Sequence, residues 1–131
     1  MIYADSSALM KLLITEPETA ALGAWLEARS DTPVITSQLT VVEVIRSCRR
    51  ANADALPAAR MLLSTVGLVP ISREVIDAAA ELSGTLLRSL DAIHLATAVT
   101  IGAGLSRFLS YDRRLTESAS AAGIVTAQPG V

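Results

Sequence analysis

One cysteine, Cys48, is present in the 131 residues of this chain, so no internal disulfide can form and no thiolate cluster can hold a metal. Scarce cysteine fits a reducing compartment, and a cytoplasmic location is expected. The N-terminal MIYADSSALMKLLI has no basic stretch ahead of its apolar residues and carries Asp5 among them, which argues against a secretory leader. No apolar run approaches the roughly 18 residues of a membrane span, so no membrane association is expected. Aromatics contribute only 3% although 51% of residues are hydrophobic. The core must therefore be built from Leu, Val, Ile and Ala, with Trp25 and Phe108 as rare large fillers, and such aliphatic richness points to helices packed on a buried sheet. Glycine-rich nucleotide loops and the G-x-S-x-G elbow of serine hydrolases are missing as well.

Charge of one sign is not in excess. The net charge of −2 gives no general attraction for a polyanion, so any nucleic acid would have to be met by local cations. Lysine is nearly absent: ten of the eleven basic residues are Arg, Lys11 being the exception, and the guanidinium offers planar, bidentate contacts to phosphate. A single histidine, His94, cannot run acid–base chemistry that needs a histidine pair. It is expected to pack and hydrogen-bond in the core.

What the chain does have is a set of carboxylates that interrupt or close apolar segments: Asp5, Glu43, Asp91 and Asp112, separated by 38, 48 and 21 residues. Residues 2–5, IYAD, read as a short strand giving way at Asp5 to a helix through SALMKLLI. A helix over 17–29, a strand at 32–36, a helix through QLTVVEVIRSCRR and another over 55–66 follow. GLVPI at 67–71 reads as a strand and Ser72 opens a capped helix. A further helix starts near Ser89 or Asp91 and ends at the breaker Gly102, before a strand at 105–110 and a last helix from Asp112. Only the final AQPGV looks loose. Strands alternating with helices predict an α/β fold, a parallel sheet flanked by helices, with residues 1–131 as one domain. Ligands of such sheets bind beyond the carboxyl ends of the strands, where Asp5 and Asp112 lie.

Each acid has a plain structural alternative: Asp5, Asp91 and Asp112 can cap helices, and Glu43 can pair with Arg46 one turn on. Together they suggest more. Two unit charges about 4 Å apart near a surface repel by roughly 4 kcal/mol, so gathered carboxylates call for cations. Without thiolate or imidazole partners the site is one of hard oxygens, suited to Mg²⁺ or Mn²⁺, and such ions can activate water and stabilise the leaving oxygen of an in-line displacement at phosphorus. Arg46, Arg50, Arg113 and Arg114 are candidate phosphate contacts, and Ser6 and Ser110 candidate hydroxyls behind the acids. A phospho-accepting receiver domain needs an early acidic pair and a late lysine, and a haloacid-dehalogenase-like phosphatase needs Asp-x-Asp at the first strand. Asp5-Ser6-Ser7 and the lone Lys11 match neither.

The segments IYADSSALMKLL, TSQLTVVEVIRSCRR, LRSLDAIHLATA and FLSYDRRLTESASAAG resemble, almost end to end, the PIN domain and within it the VapC-type toxins of bacterial toxin–antitoxin pairs. The resemblance implies a Mg²⁺- or Mn²⁺-dependent endoribonuclease in which Asp5, Glu43, Asp91 and Asp112 match the acidic quartet, Asp5 and Asp91 as the firmest ligands. It also implies a homodimer and a cognate antitoxin that enters the acidic groove. Ser110 stands where the family often has Thr, with the hydroxyl retained. Two other readings are kept open: a PIN-like module that binds RNA or a partner without cutting, which gains nothing from acids facing phosphate, and a metal-dependent DNase.

Overall fold

Strand β1, Ile2–Ala4, is a buried IYA triplet whose alternation sends Tyr3 to one face of the sheet and Ile2 and Ala4 to the other. The same division runs through the computed structural model, which describes residues 1–83 and 87–131. Strands β2 (Val34–Ser37), β3 (Gly67–Val69), β4 (Arg107–Leu109) and β5 (Thr126–Ala127) join β1 in one parallel sheet of order β3-β2-β1-β4-β5. The strands are linked through α1 (Ser6–Leu13), α2 (Thr19–Glu27), α3 (Gln38–Ala51), α4 (Leu56–Thr65), α5 (Arg73–Glu81), α6 (Ser89–Ile101) and α7 (Arg113–Ala121). Residues of α1–α4 pack with Ile2, Ala4 and Leu109 into one core, and residues of α6 and α7 pack with Tyr3, Ile35 and Phe108 into the other. The α/β expectation therefore describes the molecule.

Strand order reverses between β1 and β4, which are paired from Ile2↔Arg107 to Ala4↔Leu109. Connections from these strands run in opposite directions and open a crevice at their carboxyl ends. Polar residues collect there because each chain segment must cap the helix it enters. The Asp5 carboxylate accepts from the Ala8 amide to cap α1, Ser37 Oγ accepts from the Leu39 amide to cap α3, and Asp112 accepts from the Leu115 amide to cap α7.

Boundaries differ from the expected ones in understandable ways. The strand expected at 67–71 stops at Val69, since Pro70 has no amide to donate. Gly102, at φ +66°, does end α6. The C-terminus is not loose: Thr126 and Ala127 pair with Phe108 and Leu109, and the Tyr111 hydroxyl donates to the Pro129 carbonyl at 2.7 Å. Among the described residues no helix is long and apolar enough to cross a membrane.

Candidate active site

Asp5, only 3% exposed, lies at the crevice mouth with both carboxylate oxygens engaged. Ser7 Oγ donates to Oδ1 at 2.6 Å, the Ala8 amide donates to Oδ1 at 3.1 Å, and Ser110 Oγ donates to Oδ2 at 2.6 Å. Parallel pairing brings Ser110 here, because it follows the Leu109 that faces Ala4. Ser110 is fully buried and also accepts from the Asp112 amide at 3.1 Å, so one hydroxyl ties the two aspartates together. Ser7 likewise accepts from the Tyr111 amide at 2.8 Å. Burial pushes the Asp5 carboxyl above the ordinary aspartate range, and the bonds from Ser110, Ser7 and Ala8 oppose that shift without cancelling it.

Glu43 projects from α3 and meets His94 of α6, Oε1 to Nε2 at 2.6 Å, while the other imidazole nitrogen, Nδ1, lies 2.6 Å from the Tyr3 hydroxyl. The expected alternative of a Glu43–Arg46 ion pair is not found among the described residues. Asp91 sits one helical turn before His94 and is half-buried. Its carboxylate reaches back to the Arg88 amide at 3.4 Å, a weak capping contact. Beside Glu43, a shallow groove is lined by Ser6, Arg46, Ser47, Arg50 and Leu90.

The fold thus gathers the acids as Asp5 with Asp112 through Ser110, and sets Glu43 against His94, one turn of α6 beyond Asp91. Among the described residues no three acidic, histidine or cysteine side chains converge closely enough to hold a metal ion. The chemistry of the donors is nevertheless selective. Cys48 is buried against Met10 and both His94 nitrogens are engaged, which leaves carboxylates and hydroxyls, donors that suit Mg²⁺ or Mn²⁺.

The two adjacent serines divide their roles. Ser7, not Ser6, makes the bond to Asp5, because the first turn of α1 turns Ser7 back to the cap while Ser6 faces the groove. Arg46 and Arg50 line the groove, but Arg113 is exposed and paired with Glu117 at 2.9 Å, and Arg114 is exposed on the same turn of α7. Sequence reasoning missed Tyr3 and the link from His94 to Glu43. Tyr3 offered a faint signal, the one polar tip in an otherwise apolar first strand.

Comparison with known proteins agrees with this architecture. The PIN domain family model matches residues 2–120. Ribonuclease VapC47 of Mycobacterium tuberculosis (strain CDC 1551 / Oshkosh) is 44% identical, with 99% of this chain and 98% of the relative covered. Ribonuclease VapC35 of the same strain is 42% identical, with the same coverage. Among solved structures, Mycobacterium tuberculosis VapC20, described as a sarcin-ricin loop cleaving toxin, superposes with a TM-score of 0.74 at 21% identity, covering 98% of this chain and 100% of the other. A toxin–antitoxin complex from Klebsiella pneumoniae gives 0.76 at 23% identity, covering 98% of each. At those identities the solved structures speak for the fold, and the full-length sequence matches speak for the family. The chain belongs to the PIN-domain family and, within it, to the VapC ribonucleases.

Proposed function

We propose that this protein is the toxin of a toxin–antitoxin pair, an endoribonuclease that hydrolyses RNA phosphodiester bonds to leave 5′-phosphate and 3′-hydroxyl ends. The observation that carries the reading is Asp5: a buried carboxylate at the crevice between β1 and β4, tied through Ser110 to Asp112 and lacking a cationic partner among the described residues. Asp5, Asp91, Glu43 and Asp112 would hold Mg²⁺ or Mn²⁺. Such a cation, when bound, offsets the clustered negative charge and lowers the pKa of water for attack on phosphorus.

The chain's own residues supply the rest. Ser110 and Ser7 orient Asp5, and Ser110 keeps Asp112 at the end of β4. Arg46 and Arg50, in the groove beside Glu43, would take phosphates flanking the cleaved bond, with Arg113 and Arg114 as more distant cations. Val42 and Leu90, 55% and 50% exposed next to this groove, provide apolar surface for the antitoxin. We further take residues 1–131 as one functional domain, acting as a cytoplasmic homodimer.

The test is cleavage of a labelled RNA pool by antitoxin-free protein with Mg²⁺, with Mn²⁺ and with chelator, beside Asp5→Asn and Asp91→Asn and beside matched DNA. Metal-dependent cutting of RNA that both variants lose is expected. A fully active Asp91→Asn protein overturns the assignment, and faster cutting of DNA moves it to a DNase.

A further inference from the structure

We propose that Ser37, Tyr3 and His94 form a hydrogen-bonded relay that holds Glu43 in place before the metal arrives, with Tyr3 and His94 as positioning residues; this rests on the reading of Glu43 given above. The relay runs through several elements. At the β2–α3 junction the Ser37 amide donates to the Tyr3 hydroxyl at 3.3 Å, that hydroxyl lies 2.6 Å from His94 Nδ1, and His94 Nε2 lies 2.6 Å from Glu43 Oε1. Tyr3 is fully buried, stacked on Phe108 with ring centroids 5.1 Å apart, and His94 is 2% exposed. Neither ring can turn freely.

Proton placement follows from these contacts. The Tyr3 hydroxyl lies between the Ser37 amide and His94 Nδ1. Its oxygen accepts from the Ser37 amide, which leaves its proton available to Nδ1. A carboxylate can only accept, so the 2.6 Å contact with Glu43 Oε1 puts an imidazole proton on Nε2 and leaves Nδ1 to accept from Tyr3. A hydroxyl on the first strand and a carboxylate on another helix thereby call for the same tautomer.

The end of the relay argues for a role beyond packing. Glu43 is a quarter exposed, on the groove that holds Arg46 and Arg50. Its Oε1 is committed to His94, while Oε2 has no hydrogen-bond partner among the described residues and is free for a cation or a water. A long carboxylate frozen in this way does not need to be ordered when a ligand binds. Hydrogen-bond partners behind metal ligands typically alter metal affinity about 10- to 100-fold.

His94 is the only histidine, so imidazole nitrogen NMR of the full chain reports it without overlap. The expected spectrum of the metal-free protein shows Nε2 carrying a proton and Nδ1 accepting, with that preference lost in Tyr3→Phe. Mn²⁺ affinity, measured with the metal alone by calorimetry or electron paramagnetic resonance, should fall about 10- to 100-fold in Tyr3→Phe and His94→Ala. His94→Gln should recover part of it, because its amide can still donate to Glu43, and it serves as the test should Tyr3→Phe fail to fold. Protonation at Nδ1, or an imidazolium, in the wild type overturns the relay. Unchanged Mn²⁺ affinity in a folded Tyr3→Phe or His94→Gln protein beside a folded, weakened Glu43→Ala control overturns the positioning role. If the wild type binds no Mn²⁺, or Asp5→Asn binds it equally well, the site reading fails and the positioning role with it, while the tautomer is still decided by its own spectrum.

Discussion

Replacing Ser110 with Ala removes one hydroxyl that serves two aspartates. The fully buried Oγ donates to Asp5 Oδ2 at 2.6 Å and accepts from the Asp112 amide at 3.1 Å. A hydrogen bond to a charged group contributes about 1.5–3 kcal/mol, and a part-buried amide left unpaired adds up to about 1. Ser110→Ala should therefore cost roughly 2–4 kcal/mol in metal-free protein, a fall in Tm on the order of 6–15 °C for a domain of this size. The loss should depend on pH. Because the folded pKa of Asp5 is raised, the folded state binds more protons than the unfolded one above about pH 3.9, and stability falls as pH rises through that window. The Ser110 bond favours the ionised carboxylate and limits the fall, so its removal should cost most near pH 8 and least near pH 4. Urea denaturation at both pH values, with Ser110→Thr as the variant that keeps the hydroxyl, measures this. A Ser110→Ala protein within about 0.5 kcal/mol of wild type near pH 8, or equally destabilised at both pH values, would refute the reasoning.

Further outcomes follow from neighbouring geometry. Asp5→Asn should abolish cleavage, and Mg²⁺ should raise the Tm of wild type and leave that of Asp5→Asn unchanged in differential scanning fluorimetry. Arg46→Ala and Arg50→Ala, both exposed on α3, should leave stability within about 0.5 kcal/mol. In cleavage assays across a salt series each should weaken RNA binding and flatten the salt dependence by about one charge, and a steeper dependence would count against phosphate contact. Gly130→Ala tests the docked C-terminus: at φ +88° an added Cβ would lie 3.0 Å from the Ala21 Cβ and 3.2 Å from the Glu18 Cα, so a loss of about 1 kcal/mol or more in thermal melts is expected and no loss would mean a free tail.

Much of the architecture was legible because it rests on local physics. Short strands followed by capping residues mark β1, β2 and β4 with the helices they feed, and Gly102 stops α6 where a side-chain-free residue at positive φ is needed. Strand β5 was not legible, since two residues carry no period to read. Nor did adjacent serines reveal which of them serves Asp5, because Ser6 and Ser7 are alike in sequence and differ only in the direction α1 gives them.

The sequence by itself determined which donors are on offer: carboxylates and hydroxyls, arginine rather than lysine, and no thiolate cluster or histidine pair. Those are properties of composition and spacing, which survive without coordinates. Tertiary structure alone decided the wiring. Ser110 and Asp5 are 105 residues apart, Tyr3 and His94 are 91, and His94 and Glu43 are 51; they meet because β4 pairs with β1 and α6 crosses the face onto which β1 turns Tyr3. Hydrogen bonds act over about 3 Å, so contacts of this kind depend on strand order and helix phase, which no local pattern of residues encodes.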